Sequence, residues 1–351
     1  MAETYDVLVI GAGPAGEHAA GRLADGGLRV AIVERELVGG ECSYWGCIPS
    51  KTLLRPGDTL AAARRAPGAA EAITGRLDTA AAFAQRDYMT SGWRDDGQLG
   101  WLESKDIVLI RGTGRLTGER VVEVGTAGGA PRRLRADRAV VLATGSGPVI
   151  PPIPGLSEAR PWDNRAVTST KDLPRRLLVL GGGAVGAEMA QGFKRLGSEE
   201  VVVLEGSDRL LAREEPFAGE EVRAAFEAEG ITVVTGVRMT AARRVGRDGP
   251  VVAGLADGRE FTGDEILVRW AAGQPPLASA WSTSGWSPGV RSGWTRRCAR
   301  SAFPAGGCTR SATATASPPS PTWGSTTAVS PPRRFWAGKR PMWSLMALCP
   351  G

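Results

Sequence analysis

The chain carries little that would take it out of water. Among its 351 residues no apolar run approaches membrane-spanning length, and the N-terminus passes directly into a charged, strand-like segment. Neither a signal peptide nor an anchor is read there, so no membrane association is expected and the expected compartment is the cytoplasm. Aromatics are scarce at 6%; with 42% hydrophobic residues, the composition is that of a soluble globular protein with room for two or three domains. Five cysteines over this length do not make a secreted disulfide scaffold, and a cytoplasmic disulfide points to catalysis rather than stapling. There is one histidine, His18, read as structural, and no metal-ligating set is singled out. Acidic residues are absent from 270–351, which hold nine Lys/Arg, whereas residues 1–269 carry 34 Lys/Arg against 37 Asp/Glu. The net charge of +6 therefore belongs to the tail and does not indicate nucleic-acid binding.

What is present is concentrated between Gly39 and Lys51, in GGECSYWGCIPSK. Cys42 and Cys47 at i and i+5 of one regular helix would lie about 8 Å apart, and a disulfide needs Cα atoms within about 7 Å. If they pair, Cys42 must lie in the loop entering a helix and Cys47 in its first turn. The glycines permit that turn, and Pro49 is tolerated near a helix start. A thiol at a helix N-terminus beside a lysine ionises easily, and thiolate is the reactive form. Read without its flanks, the segment could equally hold two unrelated buried thiols.

Two further stretches repeat one pattern. YDVLVI reads as a buried parallel strand, GAGPAG places Gly11, Gly13 and Gly16 in a G-x-G-x-x-G turn, a helix follows, and LRVAIVE is a second strand ending in Glu34. Glycines let the backbone approach a pyrophosphate, the helix N-terminus offers it N–H groups, and Glu34 suits a ribose diol. From Arg176 the pattern recurs with Gly181, Gly183 and Gly186, and its second strand ends in Glu205. A carboxylate there accepts from a free 2′-hydroxyl and repels a 2′-phosphate, favouring NAD over NADP. Two nucleotide sites in one chain imply electron transfer between cofactors. Between the units, Thr52–Ser104 reads as two helices broken around Pro67-Gly68. Strand-like pieces are expected at Asp106–Arg111, Arg120–Val124 and Arg138–Ala143, then near Ile231–Thr235 and Val251–Leu255.

GGECSYWGCIPSK closely resembles the redox-active segment of the class I pyridine nucleotide–disulfide oxidoreductases, which include dihydrolipoamide dehydrogenase, mercuric reductase, glutathione reductase and mycothione reductase. The glycine pair, both cysteines and the Pro-Ser-Lys tail all coincide. The resemblance implies an α/β fold with two Rossmann-like dinucleotide-binding domains, an FAD domain (1–150) interrupted by an NAD domain (151–268). It implies FAD at the first glycine turn and a redox disulfide between Cys42 and Cys47. Cys47 would face the flavin, and Cys42 would attack a small disulfide or receive electrons from a dithiol substrate. Glu188 matches a glutamate that pairs with Lys51 near the flavin, although read locally it is an ordinary solvated helix residue. Thr144, Gly145 and Ser146 match a hinge passing near the flavin. Gly114 matches a position whose backbone meets the adenine, and Gly273 a glycine on the nicotinamide side.

Beyond about Val268 the pattern stops. Relatives carry a second FAD segment and an interface domain, whose His and Glu serve the partner's disulfide and through which they form homodimers; residues 269–351 match none of this. They hold seven of eleven tryptophans and eleven of twenty-four prolines, without helical or strand periodicity. They are expected to be an aberrant, disordered tail, the product of a shifted reading frame near Val268, leaving the chain weak in FAD binding, inactive as it stands, and without the family dimer. Two other functions compete: an NADH-dependent flavoprotein oxidase or diaphorase that bypasses the cysteines, and a non-enzymatic nucleotide-binding fragment.

Overall fold

The computed structural model describes residues 2–126 and 128–268; Gly273, the tail at 269–351 and its cysteines Cys298, Cys308 and Cys349 lie outside the described residues. Continuous apolar runs make the central strands. The first, β1 (Glu3–Ile10), leads through a glycine turn into α1 (Pro14–Asp25) and back into β2 (Val30–Glu34), which is buried along its whole length. Strand β3 (Val108–Arg111) adds to one edge. On the other side of β1 lie β6 (Arg132–Leu142), β5 (Val121–Gly125) and β4 (Thr113–Gly118), giving the order β3-β2-β1-β6-β5-β4. β6 is the shared strand: Glu3–Ile10 pairs with it in parallel, and β5 in antiparallel register. Alternate residues fill the two faces. Leu8, Ile10, Ala31 and Val33 pack with Val122 and Leu134, while Val7, Val9 and Ile32 pack with Ala20 of α1.

The second sheet repeats the opening motif. β7 (Arg176–Leu180), α7 (Ala184–Leu196), β8 (Glu200–Glu205), α8 (Pro216–Ala228) and β9 (Thr232–Thr235) precede β13 (Glu265–Val268), and the parallel order is β13-β7-β8-β9. A three-stranded antiparallel sheet of β10 (Met239–Arg244), β11 (Val251–Leu255) and β12 (Glu260–Gly263) covers one face of it, with Val251, Ala253 and Leu255 packed on Leu178, Leu204 and Ile266.

Two local expectations are corrected. Cys42 does not lie in a loop: it sits inside a separate helical turn, α2 (Gly40–Tyr44), and Cys47 opens α3 (Cys47–Arg65). Gly39 at φ +111° and Gly40 at φ +56° turn the chain tightly enough to start that extra helix. The Thr52–Ser104 region holds three helices rather than two: the rest of α3, then α4 (Thr79–Met89) and α5 (Asp96–Ser104). Asp78, whose carboxylate accepts from the Ala81 N–H at 3.0 Å, starts the extra one as an N-cap. Strands β4, β10 and β12 were not expected at all.

The two glycine-turn units are joined where α3 crosses α7. A Cβ on Gly57 would lie 2.8 Å from Arg195 Cβ, and one on Gly192 would lie 3.1 Å from Leu54 Cδ2. The helices approach this closely because each presents a glycine to the other's side chain. Arg195 then pairs with Asp58 of α3 and Glu229 beyond α8.

Candidate functional site

In each of the two sheets the first strand, β1 or β7, runs into the same turn. Gly11 has φ +99° and Gly181 φ +108°. A Cβ on Gly16 would lie 1.9 Å from the Gly11 carbonyl oxygen, and one on Gly186 1.9 Å from that of Gly181, so both turns close only around glycine. Gly13 and Gly183 differ: the nearest atom to a Cβ on Gly13 is Gly40 Cα at 4.0 Å, and Gly183 has nothing within 4 Å. These two are the N-caps of α1 and α7, and neither helix has a side-chain cap. Uncapped N–H groups at the positive end of a helix, reached past an open glycine, fit a pyrophosphate.

The strand-end acids are held alike. Glu34 Oε2 accepts from the Ala12 N–H (2.7 Å) and Oε1 from the Glu36 N–H (2.7 Å). Glu205 Oε2 accepts from the Gly182 N–H (2.6 Å) and Oε1 from the Ser207 N–H (2.8 Å). Backbone bonds fix both carboxylates at the lip of their turns. Each oxygen retains acceptor capacity for a ribose hydroxyl. The donor and acceptor sets at both turns thus fit a dinucleotide.

The thiols meet between α2 and α3. Both cysteines are free; Cys42 is half-buried and Cys47 exposed. Burial first, and then the neighbouring Cys47 thiol, push the Cys42 thiol up to about 12, while the Cys47 backbone N–H opposes that rise. Cys47 is thus the more open thiol and Cys42 the more covered one. In the chain between them Tyr44 is fully buried, its hydroxyl donating to the Val38 carbonyl at 3.0 Å.

One turn beyond Cys47 on α3, Lys51 Nζ lies 2.7 Å from both carboxylate oxygens of Glu188 on α7. Cys47 and Lys51 are i and i+4, hence on one helix face. Thr144 and Gly145 are exposed and Ser146 half-buried just after β6, beside the first turn: a Cβ on Gly11 would lie 3.2 Å from the Thr144 nitrogen. Gly114 sits in β4, where a Cβ would meet Val33 at 3.1 Å and Ile10 at 3.2 Å, so glycine there permits close packing on β1 and β2.

Sequence reading passed over two groups. Glu17, in the first turn of α1, has its carboxyl raised to about 7 by burial and by the nearby Glu34 charge; in sequence it resembles any helix glutamate. The second is the set of contacts that α6 (Asn164–Ser169) makes with Glu41 and Trp45. Nothing local in NRAVTS signals a partner more than a hundred residues away.

An α/β chain with two dinucleotide turns, and thiols just before and at the start of the helix that joins them, combines the features of a two-nucleotide redox protein. The chain belongs to the pyridine nucleotide-disulphide oxidoreductase family, which it matches over residues 5–283. It is 31% identical over 292 residues to a mercuric reductase of Staphylococcus aureus, covering 82% of this chain and 51% of the relative. It is 36% identical over 280 residues to a dihydrolipoyl dehydrogenase of Thermus scotoductus, covering 78% of this chain and 58% of that one. Among solved structures it resembles the HOCl-induced flavoprotein disulfide reductase RclA from Escherichia coli, with a TM-score of 0.66, 25% identity, and coverage of 78% of this chain and 58% of that one. The chain spans about half the length of the curated relatives it matches. Among the described residues, no helix is long and apolar enough to cross a membrane.

Proposed function

We propose that the chain is the nucleotide- and thiol-bearing part of an FAD-dependent NADH:disulfide oxidoreductase, working in the cytoplasm on a small disulfide or dithiol, with an FAD domain at 1–150 and an NAD domain at 151–268. One observation carries this reading. Cys42 on α2 stands beside Cys47 at the first position of α3, whose thiol helps to raise that of Cys42, and the next turn of α3 is tied through Lys51 to Glu188 on the helix of the second glycine turn. When bound, FAD and NADH would supply two-electron chemistry. Gly11, Gly13, Gly16 and Glu34 would hold the first, with Thr144–Ser146 alongside; Gly181, Gly183, Gly186 and Glu205 would hold the second.

The chain's own work is thiol exchange. A Cys42–Cys47 disulfide takes up two electrons and two protons to become two thiols. Cys42 Sγ, deprotonated, attacks one sulfur of the substrate disulfide, breaking that bond and releasing one substrate thiol. Cys47 Sγ then attacks Cys42 Sγ, releases the second thiol and restores the internal disulfide. Cys47 shares a face with Lys51 and so lies on the side where Lys51 and Glu188 would meet the flavin. Cys42 is the sulfur left for substrate.

The test is the absorption spectrum of the purified chain, reconstituted with FAD and separated from the excess, during anaerobic titration with dithionite. The expected result is flavin absorbance with a long-wavelength thiolate-to-flavin band, lost in Cys47→Ser. A protein that binds NADH but carries no flavin, or a variant with undiminished turnover of every acceptor, overturns the proposal. At the second site the fixed carboxylate of Glu205 favours NADH over NADPH. Glu205→Gln should narrow the ratio of their dissociation constants about tenfold, and tighter NADPH binding by the unsubstituted chain would sink that assignment.

A further inference from the structure

Two of the residues between the cysteines, Tyr44 and Trp45, are held by groups remote in sequence. Tyr44 O accepts from Trp93 Nε1 at 3.1 Å. Trp45 O accepts from Asn164 Nδ2 at 3.3 Å and from Thr168 Oγ1 at 3.2 Å. Arg165 lies over the Trp45 ring, its guanidinium carbon 4.0 Å from the centroid. The same guanidinium bonds Glu41, the residue before Cys42, through Nε at 2.7 Å and through Nη2, and reaches Glu36 Oε2 at 2.8 Å. The other Glu41 oxygen accepts from Asn164 Nδ2 at 2.8 Å. Both carboxylate oxygens of Glu41, and the backbone of Trp45, are thus gripped by one short helix, α6, in the segment that leads from the first sheet to the second. Fork-shaped charged hydrogen bonds and a stacked ring fix direction as well as distance.

We infer that Arg165 and Asn164 are positioning residues for the redox pair, and that their grip on Glu41 and Trp45 sets the effective concentration of the Cys42 thiol toward Cys47. The inference rests on the reading of Cys42 and Cys47 as a redox couple. With the grip in place the Cys42 thiol is held beside that of Cys47. Without it the Ser43–Gly46 connection is free to splay, and closing the disulfide then orders more chain. In the exchange with glutathione, both protein thiols are oxidised to one disulfide while glutathione disulfide is reduced to two glutathione thiols. A looser connection moves that equilibrium toward the protein dithiol.

The 351-residue chain is equilibrated in glutathione buffers of stepped ratio, quenched by alkylation, and the peptides containing Cys42 and Cys47 are counted by mass spectrometry apart from those of Cys298, Cys308 and Cys349. In Glu41→Gln and in Arg165→Lys the dithiol-to-disulfide ratio at fixed poise should rise about threefold to tenfold, tenfold being about 30 mV for a two-electron couple. Lysine keeps the charge but lacks the planar fork and stacking face, so it probes position without stripping a half-buried carboxylate of its cation. The double variant should shift no further than the larger single one, since both remove the same contact. Arg175→Gln, which loses only an exposed pair with Glu199, should leave the ratio unchanged. A purely structural role would lower the melting temperature of the variants and leave the ratio alone. An unchanged ratio in both variants, or a shift toward disulfide, overturns the inference while the proposed function stands. A wild-type chain that forms no Cys42–Cys47 disulfide at any poise overturns the function and the inference together.

Discussion

Two cysteines five positions apart have different surroundings, and that difference is measurable. Cys47 is exposed, whereas Cys42 is half-buried with its thiol pushed up to about 12. Flavin-free reduced chain treated with iodoacetamide at pH 8 should therefore be labelled first at Cys47, with Cys42 slower by at least about tenfold, because the thiolate is the reacting form. If the flavin lies over Cys47 as proposed, added FAD should suppress that labelling; equal labelling with and without FAD would place the flavin elsewhere. Glu17 makes a pH prediction. Its folded carboxyl titrates near 7, above an unfolded value near 4.5, so between those limits the folded state binds more protons. Stability from this group is complete below about pH 4.5 and is lost as pH rises through 7. Glu17→Gln removes the effect: the urea midpoint of the variant relative to wild type should be higher at pH 8 than at pH 5, by the equivalent of about 1–3 kcal/mol. A constant difference would show that Glu17 titrates as a solvated carboxylate. Neither property could be read from residue identity alone, since burial is supplied by elements remote in sequence.

At the scale of elements, what was legible depended on burial. VLVI, VAIVE, LLVL and VVVLE are continuous apolar strands following or preceding glycine turns, and each stands where its pattern indicates. TGRLTG, MTAARR and EFTG are exposed or edge strands of mixed small and charged residues; they pair because a neighbour is present, so no local signal marks them. The same holds at the site. Glycines, strand-end acids and thiols are motifs with short spacing, while the α6 grip on Glu41 exists only after folding. The turns themselves invite a test. Gly186→Ala would set a methyl group 1.9 Å from the Gly181 carbonyl oxygen, and the turn has to open to admit it. NADH affinity should fall at least about tenfold while flavin content stays unchanged, because the first turn is built from separate residues. Simultaneous loss of flavin would mean that the two turns fold as one unit.

For the whole molecule, the two sheets depend on a few contacts that cross between them. Arg86 on α4 is fully buried, sandwiched at 5.0 Å from the Phe83 centroid and 5.4 Å from that of Trp93. Its Nη1 donates to the Thr168 carbonyl at 3.0 Å and to the Thr170 carbonyl at 2.7 Å, at the end of α6, and its Nη2 lies 2.7 Å from Asp87. Arg86→Ala empties that space and leaves two carbonyls without their donor; the expected destabilisation is about 3–5 kcal/mol, read from denaturant unfolding. A loss under 1 kcal/mol would mean that water replaces the guanidinium at little cost.

The shared strand β6 has a consequence for synthesis on the ribosome. Strand β1 is made first, yet its parallel partner at Leu134–Leu142 follows more than a hundred residues later. Until then one edge of β1 has no neighbour, and β2 and β3 can at most form a partial sheet. In the second unit β7, β8 and β9 follow one another closely and each can dock as it emerges, although the other edge of β7 waits for β13 at Glu265–Val268. Nascent chains arrested at successive lengths should resist protease in two jumps, the first only after residue 142 has cleared the exit tunnel. During the interval before that first jump the nascent first sheet has an open edge, and it is the stretch of translation in which a chaperone would find most to hold.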